Sequence, residues 1–248
     1  MQALIDRLKR FGPLSRDQIT AMEAMNPRRR THERGAVLRR SDEASGHVFC
    51  LVEGWAIRCR LLPDGQRQIL AILIPGDVCD LQALVGADQD HHIIALTDLT
   101  VNECPASEFE ALLVKQPDLA RLFLAAKVED EALLREHVVR LGRRKARERV
   151  LHLLLEICER QRLADTDAPR RLAYTLNRET LADLLGLSPV HVSRSLAALN
   201  RAGVIAIDRG CIELADIDQA ASQCGYDGAY LRPRAPLQSP QLQNTAQA

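Results

Sequence analysis

The chain has 248 residues, of which 46% are apolar, so it is long enough for two domains that each bury a core. Lys plus Arg and Asp plus Glu number 33 each, which excludes a general attraction to polyanions and requires any affinity for DNA to come from local charge. With no apolar stretch of roughly 20 residues, no apolar signal-peptide centre and seven cysteines without paired spacing, the protein is expected to be cytoplasmic.

Residues 1–25 are predicted to form two short packing helices. The first carries apolar residues on one face, Leu4, Ile5, Leu8 and Phe11. Ser15 is placed to cap the second helix, which carries Ile19 and Met22.

Residues 37–101 change in character to short β-type runs separated by turn residues that contain glycine. Turns are predicted at Glu53-Gly54, Pro63-Asp64-Gly65 and Pro75-Gly76-Asp77. The predicted strands cover residues 48–52, 55–62, 68–74, 93–96 and 100–103. Successive antiparallel strands at this spacing favour a small barrel or roll.

Helix resumes after Pro105, with Ser107 as the predicted cap, and a longer helix is predicted over residues 118–141. The longer segment has apolar residues close to the spacing of a helical seam: Leu124, Val128, Leu134, Val138 and Leu141. This seam either packs on the chain's own barrel or joins two copies, and we favour a two-helix dimer. Gly142 is predicted to end the helix before another helix at residues 146–159.

The densest basic run of the chain, RLGRRKARER, occupies residues 140–149. Such a run fits two interpretations, a solvated stretch of helix or a set of contacts to DNA phosphates. The sequence leaves both open.

Residues 177–201 have the pattern of a helix-turn-helix. Apolar residues recur at helical spacing on both sides of Gly186, which is suited to end the first helix in the left-handed region. Ser188 is the predicted cap of the second helix, and Pro189 occupies its first position.

The second helix leaves one face free once its apolar residues are packed, and that face carries Val190, Ser193, Arg194 and Ala197. Arg194 is suited to a bidentate hydrogen bond with guanine. Ser188 and His191 are predicted to reach phosphates, and Arg178 is included among the DNA-binding residues. The alternative is an ordinary helical hairpin with a solvated Arg194.

The residues that follow favour DNA binding over that alternative. Two β-type runs, residues 204–207 and 211–214, flank the turn Asp208-Arg209-Gly210, as in the wing of a winged helix-turn-helix. Arg209 at the tip is a candidate backbone contact, or is solvated. The tail, residues 231–248, is rich in Pro and Gln and is predicted to be disordered.

This order of parts resembles the CRP/FNR family of bacterial transcription regulators. The resemblance is carried by VFCLVEGWA (48–56), LPDGQRQI (62–69), IPGD (74–77) and TLADLLGLSPVHVSRSLAAL (180–199). It implies an α+β fold with a cyclic-nucleotide-binding-like β-roll (1–117), a dimerisation helix (118–142) and a winged helix-turn-helix (143–230). It further implies a homodimer on a pseudo-palindromic operator, contact with RNA polymerase, and a signal sensed in the roll.

The chain departs from the members of this family that bind cyclic AMP. The place of their ribose-binding glutamate is Leu81, and the places of their Arg-Ser pair are Asp90 and His91. An apolar side chain cannot accept the ribose bonds, and a carboxylate repels a phosphate. We therefore expect an effector other than cyclic AMP, with a candidate pocket formed by Asp77, Leu81, Gln82, Asp90, His91 and His92.

No cofactor is predicted, because three candidate sites each depart from the pattern that ligation requires. Family members that sense oxygen use closely spaced N-terminal cysteines, whereas Cys50, Cys59, Cys79 and Cys104 are scattered and are expected to be buried. A haem on Cys79 with His91 or His92 lacks the expected spacing. A metal site at Asp88, Asp90, His91 and His92 is disfavoured because neighbouring strand residues point in opposite directions.

The recognition helix departs from the family at one position. Members with the common half-site carry a glutamate where this chain has Val190, which favours a thymine methyl over cytosine N4. Two other functions are the alternatives to a switched regulator. An enzyme is disfavoured because no phosphate-binding glycine loop, nucleophile elbow or zinc-protease motif occurs. A constitutive DNA-binding protein, with a roll that has lost its ligand, remains open.

Overall fold

The computed structural model of the protein describes residues 1–41, 43, 46–164, 171–173, 176–208 and 211–232. The helices are α1 Gln2–Lys9, α2 Arg16–Ala24, α3 Ala106–Lys115, α4 Pro117–Arg143, α5 Ala146–Ala164, α6 Arg178–Leu185, α7 Pro189–Arg201 and α8 Ile217–Cys224. The strands are β1 Arg28–His32, β2 Val37–Arg39, β3 His47–Glu53, β4 Ala56–Leu61, β5 Arg67–Leu73, β6 Val78–Cys79, β7 His92–Ala95, β8 Leu99–Pro105, β9 Arg171–Ala173, β10 Ile205–Asp208 and β11 Cys211–Leu214. The predicted α+β class is confirmed.

The N-terminal half is a β-roll of two antiparallel sheets, in the strand orders β1-β8-β3-β6 and β2-β7-β4-β5. Apolar residues from both sheets, among them Phe49, Leu51, Ala95 and Val101, form the core of the roll. The predicted turn at Gly54 is confirmed, with φ +79°, and a methyl group there would overlap the Asp98 carbonyl. β1, with the sequence RRRTH, was not predicted because four of its five residues are exposed.

The helices α1 and α2 pack with α3 and α4 against one end of the roll. The predicted cap of α2 is confirmed, because the Ser15 hydroxyl accepts from the Gln18 amide and the Gln18 side chain accepts from the Ser15 amide. The prediction that Ser107 caps α3 is wrong, since the helix begins at Ala106 and Pro105 is its N-cap. Pro105 already ends β8 in an extended conformation, so the turn into the helix comes one residue earlier.

The long helix α4 has 27 residues and is therefore about 40 Å long. The prediction that Gly142 ends it is wrong, because the helix runs through Gly142 to Arg143. The chain leaves the helix at Arg144, which has an extended backbone with φ −86° and ψ 147°. Only two residues, Arg144 and Lys145, separate α4 from α5.

The C-terminal domain is built on α5, which is surrounded by α6, α7, α8 and a three-stranded sheet in the order β10-β11-β9. This core is continuous with apolar residues of the roll, including Ile57, Ile69 and Ile72. Charged contacts cross the same boundary, from Arg67 to Asp183 at 2.7 Å and from Arg160 to Asp77 at 2.8 Å. The two domains therefore share one packed interface.

The predicted start of the tail at Leu231 is too early. Residues 229–231 form a 3-10 turn, and Leu231 is fully buried. The remainder of the predicted tail, residues 233–248, lies outside the described residues. Among the described helices, none combines the length and apolarity that a bilayer crossing requires.

Candidate DNA-binding site

In the helix-turn-helix formed by α6 and α7, a side-chain cap stabilises the start of each helix. The Asn177 side chain accepts from the Thr180 amide at 2.7 Å, and the Ser188 hydroxyl accepts from the His191 amide at 3.2 Å. Gly186 closes α6 in the left-handed region, with φ +58°. These contacts fix where α7 begins and therefore which of its residues face outward.

The two faces of α7 differ sharply in exposure. Val192, Leu196 and Leu199 are buried against the rest of the domain. Val190 is 57% exposed in spite of its apolar side chain, and Arg194 is also exposed. His191 and Ala197 are exposed along the same helix. Near the partly positive start of the helix, the outer surface therefore offers the guanidinium of Arg194 beside the branched apolar side chain of Val190.

Ser193 is half-buried between these two faces. Its hydroxyl donates to the Pro189 carbonyl one turn earlier, at 2.9 Å. The hydroxyl proton is thereby used within the helix, which leaves only acceptor capacity toward a base or water.

The predicted wing is present as the hairpin of β10 and β11, with Ile205 opposite Leu214 and Asp208 opposite Cys211. Asn200 of α7 accepts from the Ile207 amide at 3.2 Å and so ties the hairpin to the second helix. Arg209, the predicted tip contact, lies outside the described residues. Arg178 is exposed at the start of α6.

The basic run at residues 140–149 divides into two groups. Arg140, Arg144 and Arg149 are used inside the protein; for example, Arg149 donates to the Leu185 carbonyl at 3.1 Å and satisfies the end of α6. Arg143, Lys145 and Arg147 are exposed. Only this second group is available for phosphates.

The face of α4 that was assigned to dimerisation is solvent-exposed in the single chain. Leu124 is 64% exposed, Val128 52% and Val138 63%. Leu134 is 48% exposed, and Leu141 is half-buried. Isolated exposed apolar residues are ordinary on a protein surface, but a row along one helix marks an interaction surface.

Comparison with known proteins identifies both domains. A family model described as a cyclic nucleotide-binding domain matches residues 29–116, and one described as a Crp-like helix-turn-helix domain matches residues 148–219. The nitrogen fixation regulation protein FixK of Bradyrhizobium diazoefficiens is 32% identical over 189 residues, which are 76% of this chain and 78% of FixK. The chain belongs to the CRP/FNR family of transcription regulators. The sequence-based assignment to this family is thus confirmed.

Two further members of the CRP/FNR family agree with this assignment. The transcriptional activator protein FnrL of Cereibacter sphaeroides is 31% identical over 182 residues, which are 72% of this chain and 73% of FnrL. The solved structure of FixK2 from Bradyrhizobium japonicum superposes with a TM-score of 0.71 at 26% identity, covering 79% of this chain and 96% of FixK2. Both the fold and the class of DNA-binding domain are therefore shared with the family.

The predicted effector residues of this family member do not converge on one site. Asp77, Asp90 and His91 line a cavity of about 330 Å³ between β5, α4 and α5. Its apolar wall comes from several elements, among them Leu70, Leu133, Leu153 and Leu184. Asp77 is not a free acceptor, because its carboxylate pairs with Arg7 of α1 and with Arg160 of α5.

The other three predicted effector residues, Leu81, Gln82 and His92, lie away from this cavity. Leu81 begins a 3-10 turn, Leu81–Val85, and packs near α1 and α4. Gln82 donates to Gln89, which in turn donates to the buried Asp80 at 3.1 Å. His92 contacts Ser41.

The four candidate ligand cysteines are distributed over separate parts of the core. Cys50 and Cys104 lie under α1 and α3, Cys79 lies inside the roll, and Cys59 lies at the domain boundary. Burial raises the pKa of the Cys50 and Cys79 thiols to about 12, which disfavours the thiolate that a metal would need. Within the described residues, no group of three His, Cys, Asp or Glu side chains is arranged to hold a metal ion.

Proposed function

We propose that the protein is a homodimeric transcription regulator that binds a pseudo-palindromic operator, with α7 of each protomer in a major groove. The observation that carries this proposal is the exposed pair Val190 and Arg194, on the side of α7 opposite its buried Val192, Leu196 and Leu199. A recognition helix of a helix-turn-helix reads bases from such a face, while its packed face fixes its angle on the domain.

Dimerisation is supported by the exposed apolar row of α4. A symmetric dimer would bury Leu124, Val128 and Val138 against the same residues of a second copy. Two recognition helices would then lie about 34 Å apart, one turn of the duplex, which is the separation of two half-sites. Because both recognition helices contact the same duplex, the affinity for a full operator depends on the two half-sites together.

Base recognition is proposed to divide between two side chains. The guanidinium of Arg194 donates to O6 and N7 of a guanine, and the methyl groups of Val190 contact a thymine methyl. Phosphate contacts come from Arg178, His191, Ser188 and the exposed part of the basic run. These contacts set position on the duplex without reading its sequence.

The test is selection of bound fragments from random DNA, followed by affinity measurements on the selected operator and on its single-base variants. We expect Arg194→Ala to cost about 1–3 kcal/mol on the selected operator and to abolish the preference for one guanine. Arg178→Ala is the matched control, which should weaken binding equally on all sequences. Val190→Glu should move the preference from a thymine toward a cytosine, since a carboxylate accepts from cytosine N4.

Equal losses from Arg194→Ala on every sequence would assign Arg194 to a phosphate and refute the proposed readout. A purified chain that remains monomeric and binds no duplex better than heparin would refute the function as a whole.

Control of this regulator is proposed to come from a small molecule other than cyclic AMP, bound in the cavity of about 330 Å³. That volume lies at the lower end for ligand pockets. The cavity is bounded by both domains, so a ligand there would act on their arrangement. A constitutive regulator is the second candidate, favoured because Asp77, Asp80 and Gln89 are all engaged in contacts within the chain.

Calorimetric titration with cyclic AMP is expected to show no binding. Operator affinity with and without small-molecule extracts, together with visible absorption and metal analysis of the purified protein, separates the two candidates. An effect of an extract supports the switched regulator, whereas an unchanged affinity supports the constitutive one. FnrL is named a transcriptional activator, and on that ground we propose activation through contact with RNA polymerase, without an enzymatic role.

A further inference from the structure

Residues 226–232, here called the C-terminal segment, follow α8 but do not stay within the winged domain. They extend to α4 and to Arg10, the residue that follows α1 in the N-terminal domain. Leu231 is fully buried there, and its carbonyl accepts from the Arg10 guanidinium at 3.1 Å. Arg10 is itself paired with Glu129 of α4 at 2.6 Å. The end of the segment is thus fastened to two elements outside the DNA-binding domain.

The same segment is fastened to α5 of the DNA-binding domain by two tyrosines. The Tyr226 hydroxyl donates to Glu159 at 2.6 Å, and the Tyr230 hydroxyl donates to Glu156 at 2.7 Å. Both rings pack on the buried His152 of α5, with centroids 4.9 Å and 6.4 Å from the imidazole. Desolvation and the neighbouring carboxylates raise the pKa of both tyrosines, so each hydroxyl keeps its proton.

Glu156 is the meeting point of the two sets of contacts. Besides the Tyr230 hydroxyl, its carboxylate accepts from Arg140 of α4, a guanidinium that is 1% exposed. One carboxylate of α5 therefore binds both α4 and the C-terminal segment. The chain connection between α4 and α5 is only Arg144 and Lys145, so these side chains stand directly across the bend.

Gly228 lets the segment pass close to α5. Its backbone is left-handed, with φ +62°, and an added methyl group would overlap the Glu159 carboxylate. Glu159 also lies 3.6 Å from Arg232, at the far end of the segment. The path of the backbone is therefore matched to this carboxylate.

We propose that the C-terminal segment is a positioning element that, together with the core shared by the two domains, fixes the orientation of the DNA-binding domain relative to α4. A two-residue connection leaves the backbone dihedrals of Arg144 and Lys145 as hinges, and the segment restrains them by joining α5 to α4 and to Arg10, the residue that follows α1. In a dimer joined through α4, that restraint sets the distance between the two recognition helices. The inference rests on the proposed homodimer and adds the determinant of its half-site spacing.

The test compares the full chain with two truncations on operators that differ only in half-site spacing. Removal of residues 226–248 deletes the segment, and removal of residues 233–248 is the matched control that leaves it intact. The full chain and the control are expected to prefer one spacing by at least tenfold over operators lengthened or shortened by two base pairs. The chain without the segment is expected to keep less than a threefold preference.

A spacing profile separates positioning from stability, because a lower folded fraction weakens binding to every operator by the same factor. Affinity for a single half-site is the second readout, and it should differ by less than twofold between the full chain and the chain without the C-terminal segment. Leu231→Ala and Gly228→Ala are milder variants for use if the truncated chain fails to fold. Both should flatten the spacing profile in the same direction.

A truncated or substituted chain that retains the full spacing preference would overturn the inference while leaving the proposed function in place. A full-length chain that forms a dimer but binds all spacings equally would overturn the inference as well. A full-length chain that is monomeric or binds no operator would instead contradict the proposed function itself.

Discussion

Arg140 is the bulkiest of the fully buried side chains in the described part of the chain, and two imidazoles share its surroundings. It donates to Nδ1 of His152 at 3.2 Å, and Nδ1 of His137 lies 3.5 Å away. The Nε2 atom of His152 lies 3.1 Å from Glu136. His152 must therefore carry its proton on Nε2, donate it to Glu136 and remain neutral beside the guanidinium. Burial, followed by the charge of Arg140, lowers the pKa of His137 to about 4 and of His152 to about 3.

These depressed pKa values predict a loss of stability in mild acid. In the unfolded chain each imidazole takes up a proton near pH 6.5, whereas in the folded chain it does so only near pH 4 or 3. Unfolding therefore takes up protons at pH values between the folded and the unfolded pKa of each histidine. The contribution of the two histidines to the free energy of unfolding is complete above about pH 6.5 and decreases as the pH falls. Denaturant unfolding at steps from pH 7.5 to 5.0 measures this slope.

Replacement of either histidine should reduce the slope, even where it also lowers the stability at pH 7.5. His137→Gln and His152→Gln are the informative variants, and His191→Gln at the exposed position on α7 is the control. A slope that is unchanged in both core variants would show that these imidazoles are already protonated when folded or take no part in the linkage.

The residues of α7 and those around Arg140 differ in how far sequence could predict them. Val190 and Arg194 were placed on an exposed face because the spacing of Val192, Leu196 and Leu199 defines the opposite one. Arg140 was assigned to a basic run at the surface, and Arg160 received no role. Periodicity sorts apolar from polar positions, but it cannot show that a charged residue finds a partner 83 positions away, as Arg160 does in Asp77.

The helix α4 has two apolar faces with different fates. Leu119, Leu122, Phe123 and Ala126 are buried against the N-terminal helices. The face with Leu124, Val128 and Val138 remains open. The first face alone is sufficient for packing within the domain, and the second is the face that the proposed homodimer would bury.

A charge on this open face should separate the two protomers of the proposed homodimer. Val128→Arg would place a guanidinium close to its own copy across the two-fold axis, where it is desolvated and repelled. We expect the variant to sediment as a monomer and to lose at least tenfold in affinity for a full operator. Val114→Arg is the matched control, since Val114 is 76% exposed on α3, outside the row. If the Val128→Arg variant is still a dimer, the dimer interface lies on another surface of the molecule.

At the scale of elements, strong local signals predicted α4, α7 and the central strands, with bounds that differ by one or two residues. The weak signals failed for identifiable reasons. β1 is an exposed strand of charged residues at a sheet edge, and β9 has only three residues. The sequence placed residues 226–230 of the C-terminal segment at the end of the winged domain and residues 231–232 in the tail, because Leu231 is an isolated apolar residue before a stretch rich in Pro and Gln. The C-terminal segment is kept in place by hydrogen bonds of tyrosine and arginine side chains between residues that lie far apart in the sequence.

The molecule as a whole is organised by the core that the two domains share. Ile57, Ile69 and Ile72 of the roll belong to the same apolar cluster as Leu153 of α5 and Leu184 of α6. The ion pairs Arg67–Asp183 and Arg160–Asp77 reinforce the boundary. Unfolding of either domain would expose the apolar residues with which the other domain shares its core, so the stabilities of the two domains are coupled.

Coupled domains should unfold in one transition at a fixed protein concentration. Fluorescence of Trp55, the single tryptophan, reports on the roll, and far-ultraviolet circular dichroism reports chiefly on the helices. We expect the two signals to coincide in the full chain. Leu184→Ala removes an apolar side chain beside the interdomain cavity at a cost of about 2–5 kcal/mol and should separate the two signals. The control is Leu199→Ala, at a buried position of α7 within the winged domain, which should lower the midpoint of unfolding while both signals still coincide. Coincident signals in Leu184→Ala would mean that the ion pairs alone couple the domains.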